Sequence, residues 1–264
     1  MEGINYSRIS ERLEQYVKNV AGDKGTIIGL SGGIDSSIVC ALAVNSLGKD
    51  KVKALIVKNS RYPEENLKVS RAYANSLGIE IQEVDSTNLR IAAMKAMDID
   101  ERNIIQSSTM DARICDTVIK TYAGIEDRIY LGTINGTERL TGWYPKGNLV
   151  GDCCPIGGLL KEQEKGLAKH MGLDYLIETI SDDASRVCSG CGELPEFSGI
   201  PYKILDKVLY LYETSIGDNL PKKLRNANID REVSSRILKR VNFVDHKNDV
   251  FPDYCKLNFP SEIK

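Results

Sequence analysis

The chain has 264 residues, of which 42% are hydrophobic and 27% are charged. This composition is ordinary for a globular protein, and the sequence contains no apolar run of about 18 residues, so we expect neither disorder nor a membrane span. The formal net charge is -2, from 35 Lys and Arg against 37 Asp and Glu. A balance so near neutral gives no global attraction to nucleic acid, and we expect no nucleic-acid partner.

Short apolar runs alternate with longer helical windows along the first half of the chain, which is the pattern of parallel βαβ units. Gly48 and Gly78 follow two of these windows, where helices commonly end. The strands are nearly continuous in Val, Ile and Leu, as in a sheet covered by helices on both faces. In chain order we predict a helix at 6–20, a strand at 26–30, a helix at 36–47, a strand at 52–57, a helix at 64–77, a strand at 79–84, helices at 87–97 and 103–122, and a strand at 128–132.

The second half of the chain has a different composition. Residues 135–158 are rich in Gly, Pro and Asn, which is typical of binding loops. Helices are predicted at 159–171, 202–212 and 230–240, the last with Asp230 as N-cap, and a loop is predicted at 181–199. We therefore expect residues 1–264 to form one α/β domain, a doubly wound parallel sheet with helices on both faces and a helical C-terminal extension.

The most informative segment follows the first predicted strand, where a Ser-Gly-Gly turn opens directly onto a helix. Gly32 and Gly33 permit backbone conformations in which several N–H groups converge on one anion at a helix start. The hydroxyl groups of Ser31, Ser36 and Ser37 can add donors. No Lys follows the glycines, so this is not the GxxxxGK[ST] loop of other nucleotide-binding proteins. The pattern predicts a phosphate-binding turn.

Asp35 lies within this turn and needs its own explanation. A carboxylate beside bound phosphate repels it unless a divalent cation lies between the two. The alternative is an acidic residue that is stabilised only by the dipole at the start of a helix.

The string SGGIDSS at 31–37 resembles the signature of the ATP pyrophosphatase (PP-loop) superfamily, whose members cleave ATP to AMP and pyrophosphate. The downstream segments resemble the ammonia-dependent NAD synthetases, and the resemblance extends from residue 6 to residue 252. Those segments are Asp-Ala-Arg at 111–113, GTINGTE at 132–138, GWYPK at 142–146, Gly-Asp at 151–152, Lys161 and His-Lys at 246–247.

The resemblance implies roles for particular residues. Asp35, Glu138 and Lys161 are the implied catalytic residues, with Asp35 and Glu138 holding Mg²⁺. The implied ATP-binding residues are Gly29, Ser31, Gly32, Gly33, Asp35, Ser36, Ser37, Thr133, Lys161 and Ser185. The implied substrate-binding residues are Arg113, Lys146, Asp152, His246 and Lys247.

The same resemblance implies a reaction in which ATP adenylates the nicotinate carboxylate of deamido-NAD, and ammonia then displaces AMP to give NAD. Glutamine-using relatives carry a large glutaminase domain, and this length leaves no room for one, so we expect ammonia as the nitrogen donor. A homodimer is implied by the resemblance alone.

Several of these residues also fit purely structural roles. Glu138 and Arg113 fit solvated helix charges, Asp152 fits a turn cap, and His246 fits a surface residue. Trp143 fits either the core or a stacking partner for a base. A nucleotide-binding protein without catalytic activity is a further alternative, against which the presence of Asp35 and Glu138 argues.

Two loops, at 145–154 and 181–192, depart from the family pattern, and both carry cysteines; in the second, Ser181 or Ser185 is the candidate phosphate-binding hydroxyl. Cys188 and Cys191 have the two-residue gap that lets two thiolates bind one metal. With Cys153 or Cys154 they would form a zinc or iron–sulfur site, which makes a sulfur transferase the alternative function. The other possibility is unligated thiols.

The seven cysteines also bear on the compartment. An odd number of them, together with a polar stretch at residues 1–12 that lacks the apolar core of a signal peptide, indicates a reducing compartment rather than a disulfide scaffold. We therefore expect a cytoplasmic protein.

Overall fold

The computed structural model describes residues 4–179, 197, 199–215 and 219–257. Within them a six-stranded sheet has the order β3-β2-β1-β4-β5-β6, and every neighbouring pair is parallel. The strands are β1 Thr26–Gly29, β2 Val52–Lys58, β3 Glu80–Asp85, β4 Ile129–Leu131, β5 Cys153–Cys154 and β6 Asp253–Tyr254. The strand order reverses between β1 and β4, and ligands of open α/β sheets bind outside the carboxyl ends of strands at such a point.

Helices cover both faces of the sheet. They are α1 Tyr6–Ala21, α2 Ile34–Leu47, α3 Glu64–Leu77, α4 Thr87–Ala96, α5 Ile104–Ile125, α6 Gly136–Thr141, α7 Lys161–His170, α8 Asp174–Thr179, α9 Tyr202–Glu213, α10 Leu220–Asn226 and α11 Arg231–Val244. Ile28 of β1 packs with α1, α2 and α7 on one face, whereas Ile27 packs with Ile119 of α5 on the other. Alternate residues of one strand therefore serve two cores, as the apolar strand pattern predicted.

The predicted elements of the first half are confirmed, and no end differs by more than three residues. Gly48 and Gly78 end α2 and α3, and Asp230 caps α11 by accepting from the backbone N–H groups of Glu232 and Val233. The expectation that every strand is buried by helices on both faces was wrong for β3. β3 is an edge strand whose residues are mostly exposed or half-buried, because it has only one neighbour and carries alternating charged residues.

The prediction of continuous loop at 135–158 was also wrong, because α6 and β5 lie within it. α8, α10 and β6 were likewise not predicted. The expected helical C-terminal region is present: α6, α9, α10 and α11 share a second apolar cluster around Leu209 and Ile237. No helix in the described part of the chain is long and apolar enough to cross a bilayer.

Candidate active site

The turn between β1 and α2 is held in shape by its own hydroxyl groups. Gly33 N donates to Ser31 Oγ at 3.2 Å, and the hydroxyls of Ser36 and Ser37 donate to Gly33 O at 3.1 and 2.9 Å. Ser36 and Ser37 are buried, whereas Ser31 and Gly33 are partly exposed. The two buried serines therefore shape the turn, and Ser31 and the turn backbone are the groups that face outward.

Glycine is required at two positions here for different reasons. Gly32 has a φ of +81°, and a Cβ atom there would lie 2.8 Å from Asn66 O. Gly29 lets α5 approach the sheet, since a Cβ atom would lie 2.5 Å from Ile119 Cδ1. Gly29 therefore has a packing role apart from the ATP-binding role that the family resemblance implies for it.

The three implied catalytic residues lie together beside this turn. Lys161 Nζ, at the start of α7, lies 2.9 Å from both carboxylate oxygens of Asp35, at the start of α2. Glu138 is close enough to both for its ionisation to depend on theirs. The side chains of Asp35 and Lys161 are 24% and 11% exposed, so the pair is largely shielded from solvent.

Asn135 connects Asp35 to Glu138. Its side-chain Nδ2 donates to Asp35 Oδ1 at 2.7 Å, while its Oδ1 accepts from Glu138 N at 2.9 Å. Glu138 Oε2 accepts from Asn135 N at 3.0 Å, which completes a capping box at the start of α6. A short connection that includes Thr133 and Ile134 joins β4 to Asn135. The capping box therefore fixes Glu138 near the carboxyl end of β4, the strand beside β1. Thr133 is half-buried in the same connection.

Glu164 is a further acidic residue at this site. It lies one turn after Lys161 on α7, its side chain is fully buried, and its Oε2 is 3.1 Å from Lys161 Nζ. Lys161 therefore lies between two carboxyl groups, with Glu138 as a third nearby.

Burial and mutual proximity shift the ionisation of the whole group. Burial alone would raise the pKa of Asp35, but Lys161 and hydrogen bonds from Glu164, Asn135 and Lys161 outweigh it and lower the pKa of that carboxyl. Burial and the charge of Asp35 raise the pKa of Glu138 to about 8 and hold the pKa of Glu164 well above its usual range. Burial would lower the pKa of Lys161, but Asp35, Glu164 and Glu138 keep it raised, so the ammonium is retained. The charge of Lys161 thus balances that of Asp35, and burial keeps the two glutamates from adding further negative charge.

The residues implied to bind the substrate are more dispersed. Arg113 on α5 and Lys146 are exposed, and among the described residues neither takes part in the ion pairs around Asp35. His246 is also exposed, with Nδ1 3.1 Å from Phe243 O. The 3-10 helix Asp245–Val250 carries both His246 and Lys247. Lys247 Nζ donates to the carbonyl oxygens of Gly142 and Tyr144, at 2.6 Å each.

These contacts give two of the substrate-binding candidates a structural role. Lys247 closes the carboxyl end of α6 and thereby fixes the start of the loop that carries Lys146. Asp152 Oδ2 accepts from Tyr130 N at 2.8 Å, so its carboxylate caps a backbone N–H group of β4, which resembles the turn-capping alternative. Trp143 is 9% exposed and belongs to the core rather than to an open stacking surface.

The proposed cysteine metal site is not supported. Cys153 and Cys154 are consecutive residues of β5, so their side chains point to opposite faces of the sheet. Cys153 packs in the cluster around α1, and Cys154 packs with Tyr144 and Val150 and donates to Ile134 O. Burial raises the pKa of Cys153 to about 12 and holds the pKa of Cys154 well above its usual range, which disfavours the thiolates that bind metal.

Across residues 4–179, 197, 199–215 and 219–257, no group of three or more His, Cys, Asp or Glu side chains is arranged to hold a metal ion. Cys188, Cys191 and Ser185 lie outside the described residues.

Sequence reasoning missed Asn135 and Glu164. Asn135 carried a usable signal, because Asn followed three positions later by Glu is the pattern of a capping box. Glu164 carried none, since a glutamate on a charged helix is usually solvated and its burial depends on how α7 packs against α2.

A parallel sheet whose first strand leads through SGGxDSS into a helix, with an aspartate and a lysine paired at the turn, defines an ATP pyrophosphatase of the PP-loop class. Within that class the chain belongs to the NAD synthase family, whose profile matches residues 5–250. This membership favours an amide-forming ligase over a sulfur transferase.

Curated relatives agree with the family. The NH(3)-dependent NAD(+) synthetase of Pyrobaculum aerophilum is 34% identical over 209 residues, which cover 77% of this chain and 76% of that protein. The protein of the same description from Pyrococcus furiosus is 27% identical over 250 residues, which cover 94% of each chain.

Solved structures show the same fold. The NH3-dependent NAD synthetase from Campylobacter jejuni has a TM-score of 0.74 at 22% identity, covering 93% of this chain and 97% of its own. The NMN synthetase from Francisella tularensis also has a TM-score of 0.74 at 22% identity, covering 92% of this chain and 95% of its own.

Proposed function

We propose that this protein is an ammonia-dependent NAD synthetase. It converts deamido-NAD, ammonia and ATP to NAD, AMP and pyrophosphate. The observation that carries the proposal is the pairing of Asp35 with Lys161 beside the Ser-Gly-Gly turn, in a chain of the NAD synthase family. The curated relatives named above share this description, which supports the same acceptor and nitrogen donor here.

The chemistry follows from the weakness of a carboxylate as an electrophile. Its charge is shared by two oxygens, so an amine cannot displace either one directly. The nicotinate carboxylate of deamido-NAD attacks the α-phosphorus of ATP, pyrophosphate leaves, and the carboxyl group becomes a mixed anhydride with AMP. Ammonia then attacks the carbonyl carbon and AMP departs with the C–O bond electrons. The step is divided in two without a nucleophilic side chain.

The protein contributes binding, positioning and charge. The outward-facing backbone of the Ser-Gly-Gly turn and the free N–H groups at the start of α2 bind the departing pyrophosphate. Lys161 offsets the negative charge that develops as the pyrophosphate leaves. The ammonium is already desolvated and held within 3.1 Å of its partners, so little reorganisation is needed before reaction.

Asp35 and Glu138 have the chemistry of a Mg²⁺ site. Both are carboxyl groups near the Ser-Gly-Gly turn, and burial and the charge of Asp35 raise the pKa of Glu138 to about 8, so a second negative charge there is disfavoured unless a cation is bound. Hard oxygen ligands of this type suit Mg²⁺, so the residues fit the ion. Bound there, Mg²⁺ would supply positive charge to the phosphate oxygens of ATP.

The dinucleotide is assigned to the side of the site that carries Arg113, Lys146 and the 3-10 helix with His246 and Lys247. We propose that a second copy of the chain completes it. Support comes from exposed apolar side chains on α4, directly after it and at the start of α5, the helix that also carries Arg113. These side chains are Leu89, Ile91, Met97, Ile104 and Ile105.

Two further parts of the proposal concern organisation. The chain acts as one catalytic domain, supported by contacts of α9 with both α6 and α7. The protein works in a reducing cytoplasm, supported by the thiols of Cys40, Cys153 and Cys154, none of which forms a disulfide bond.

The test is to incubate purified protein with ATP, Mg²⁺, ammonium and deamido-NAD, and to measure NAD, AMP and pyrophosphate. We expect equal amounts of the three products and no NAD without ammonium. A parallel assay with deamido-NMN in place of deamido-NAD tests whether the protein instead forms NMN, as the description of the Francisella protein states for that protein. Pyrophosphate release that ignores both acceptors, or formation of ADP and orthophosphate, would contradict the proposal.

A further inference from the structure

Helix α7 begins at Lys161 without a side-chain cap of its own. The residue before it is Leu160, which offers no acceptor, although the first N–H groups of a helix need one when they are buried. Leu160 N donates to Gln163 Oε1 at 2.9 Å, and Lys161 N donates to the hydroxyl Oγ1 of Thr137 at 2.9 Å. Glu162 N donates to Asp206 Oδ2 at 2.7 Å. The first two N–H groups of α7, those of Lys161 and Glu162, are therefore capped by side chains of α6 and α9.

Asp206 is the centre of this arrangement. It lies on α9 in the C-terminal helical region, is fully buried, and its Oδ1 accepts from Thr137 Oγ1 at 2.7 Å. The hydroxyl of Thr137 thus donates to Asp206 and accepts from Lys161 N. One carboxylate joins α6, α7 and α9, and it does so at the backbone of Lys161 and next to Glu138.

We infer that Asp206 is a positioning residue for Lys161: it fixes the first turn of α7, from which the Lys161 ammonium reaches the catalytic site. The inference rests on the proposed role of Lys161 in the reaction. Lys161 and Glu164 project from the same fixed turn, so a shift of that turn moves the ammonium and its buried partner relative to Asp35. Displacements of about 1 Å at a reacting group can cost about 100-fold in rate.

The chemistry of the site requires a carboxylate. Two N–H or O–H donors point at two different oxygens of Asp206, and a negative charge is favoured at a helix start. Burial raises the pKa of Asp206 to about 6, against the lowering effect of the Glu162 N–H and the Thr137 hydroxyl, so the ionised form predominates at pH 7.5. An asparagine would offer one acceptor oxygen and turn an N–H group towards one of the donors.

The experiment compares Asp206→Asn with variants at the other end of the same hydrogen bond. Thr137→Val removes the hydroxyl and Thr137→Ser retains it. We expect Asp206→Asn and Thr137→Val to lower kcat for NAD formation by about 10- to 100-fold, while KM for ATP changes less than about threefold. Thr137→Ser keeps the hydroxyl, so we expect its kcat to stay within about threefold of the native value.

Glu213→Gln is the matched control. Glu213 lies on the same helix as Asp206 and pairs with Arg139 of α6, so its loss weakens the same helix contact without touching the start of α7. We expect it to lower the melting temperature while leaving kcat per folded molecule near the native value.

A crystal structure of Asp206→Asn gives a readout that does not depend on the reaction. We expect Lys161 Nζ to lie more than 3.5 Å from Asp35. An unchanged kcat, an unchanged Lys161–Asp35 distance, or a loss of kcat that Glu213→Gln matches at equal stability would overturn the inference. If Asp206→Asn does not fold, the Thr137→Val and Thr137→Ser pair decides the same question. Absence of NAD formation by the native protein would instead count against the proposed function, and the distance measurement would still decide the positioning role.

Discussion

The ammonium nitrogen of Lys161 lies 2.9 Å from both carboxylate oxygens of Asp35, across 126 positions of the sequence. The pair joins the start of α7 to the start of α2, at the point where the order of the strands reverses. Glu164 lies on the far side of the same ammonium at 3.1 Å. One buried lysine therefore holds two acidic groups together and is also the group proposed to offset charge on the pyrophosphate, and substitutions can separate the two roles.

Lys161→Met tests this double role. We expect NAD formation to fall at least about 100-fold, because no other described ammonium contacts Asp35 to offset charge on pyrophosphate. The free energy of unfolding should fall by about 1–3 kcal/mol, since buried Glu164 loses its partner. Enzyme assay and urea unfolding measure the two effects.

The double variant Lys161→Met, Glu164→Met is the control for stability. Replacing both polar partners with apolar side chains should recover most of the lost stability without recovering activity. If the double variant is less stable than Lys161→Met alone, Glu164 is held by other contacts and its pairing with Lys161 carries little energy.

Asp35→Asn should abolish turnover and leave the fold intact. The amide keeps the size and one acceptor oxygen, and Lys161 retains Glu164 as a partner, but the negative charge beside the phosphate turn is gone. Circular dichroism and a melting curve check the fold, and NAD formation checks activity. Global unfolding of this variant would argue for a structural rather than a catalytic role.

Much of the sheet and the phosphate turn could be predicted from the sequence, because their signals are local. The apolar runs of β1 and β2 and the Ser-Gly-Gly turn need no distant contact to be recognised. β5 and β6 have two residues each and are strands only because they pair with neighbours that are distant in sequence. A two-residue run has no periodicity to detect.

The residues of the candidate site also divide into those that local sequence signals predicted and those that depend on distant contacts. Asp35, Glu138 and Lys161 were predicted from the family resemblance. The burial of Glu164 and Asp206 was not, since both are acidic residues on helices that carry other charged residues, and such residues are usually solvated. Their roles depend on which helices pack against them. The described residues do not support the predicted cysteine site for a related reason: Cys153 and Cys154 are buried on opposite faces of β5, a strand that the sequence had not indicated.

Gly32→Ala should distort the Ser-Gly-Gly turn between β1 and α2. The position combines a φ of +81° with a contact of 2.8 Å between the new Cβ atom and Asn66 O. Gly48, at the other end of α2, has a φ of +80° and open space around it. Gly48→Ala should therefore cost only the backbone strain, about 1–3 kcal/mol, with kcat unchanged. We expect Gly32→Ala to cost more stability and to lower kcat. Equal effects of the two would show that the Asn66 contact relaxes freely.

Glu83 gives a prediction for the pH dependence of stability. Arg71 donates to it through Nε and Nη2 at 2.5 and 2.7 Å, and Lys58 adds a third contact at 3.0 Å. Hydrogen bonding to Arg71, only partly opposed by burial, lowers the pKa of Glu83 to about 2, with Lys58 contributing further. A carboxyl group whose pKa is lower in the folded state stabilises the protein above its unfolded pKa of 4.5, and this contribution is lost as the pH falls towards 2.

The measurement is the free energy of unfolding of the native protein and of Glu83→Gln as a function of pH. At pH 7 we expect a difference of about 1 kcal/mol, the magnitude of a partly exposed ion pair, shrinking between pH 4.5 and pH 2. Glu65→Gln, on an exposed side chain, should change stability by less than about 0.5 kcal/mol. A difference for Glu83→Gln that stays constant with pH would contradict the assigned cause.

Ile105→Glu tests the proposed dimer. Ile104 and Ile105, at the start of α5, are 62% and 68% exposed, an arrangement that costs free energy in water unless a partner covers it. Ile125, at the other end of the same helix, is 73% exposed and serves as the matched control. By light scattering after gel filtration we expect the native protein and Ile125→Glu to be dimers and Ile105→Glu to be a monomer, because a buried unpaired carboxylate opposes association. NAD formation should fall with the dimer, since the dinucleotide site is proposed to need both copies. A native protein that is monomeric and fully active would remove the second copy from the proposed site.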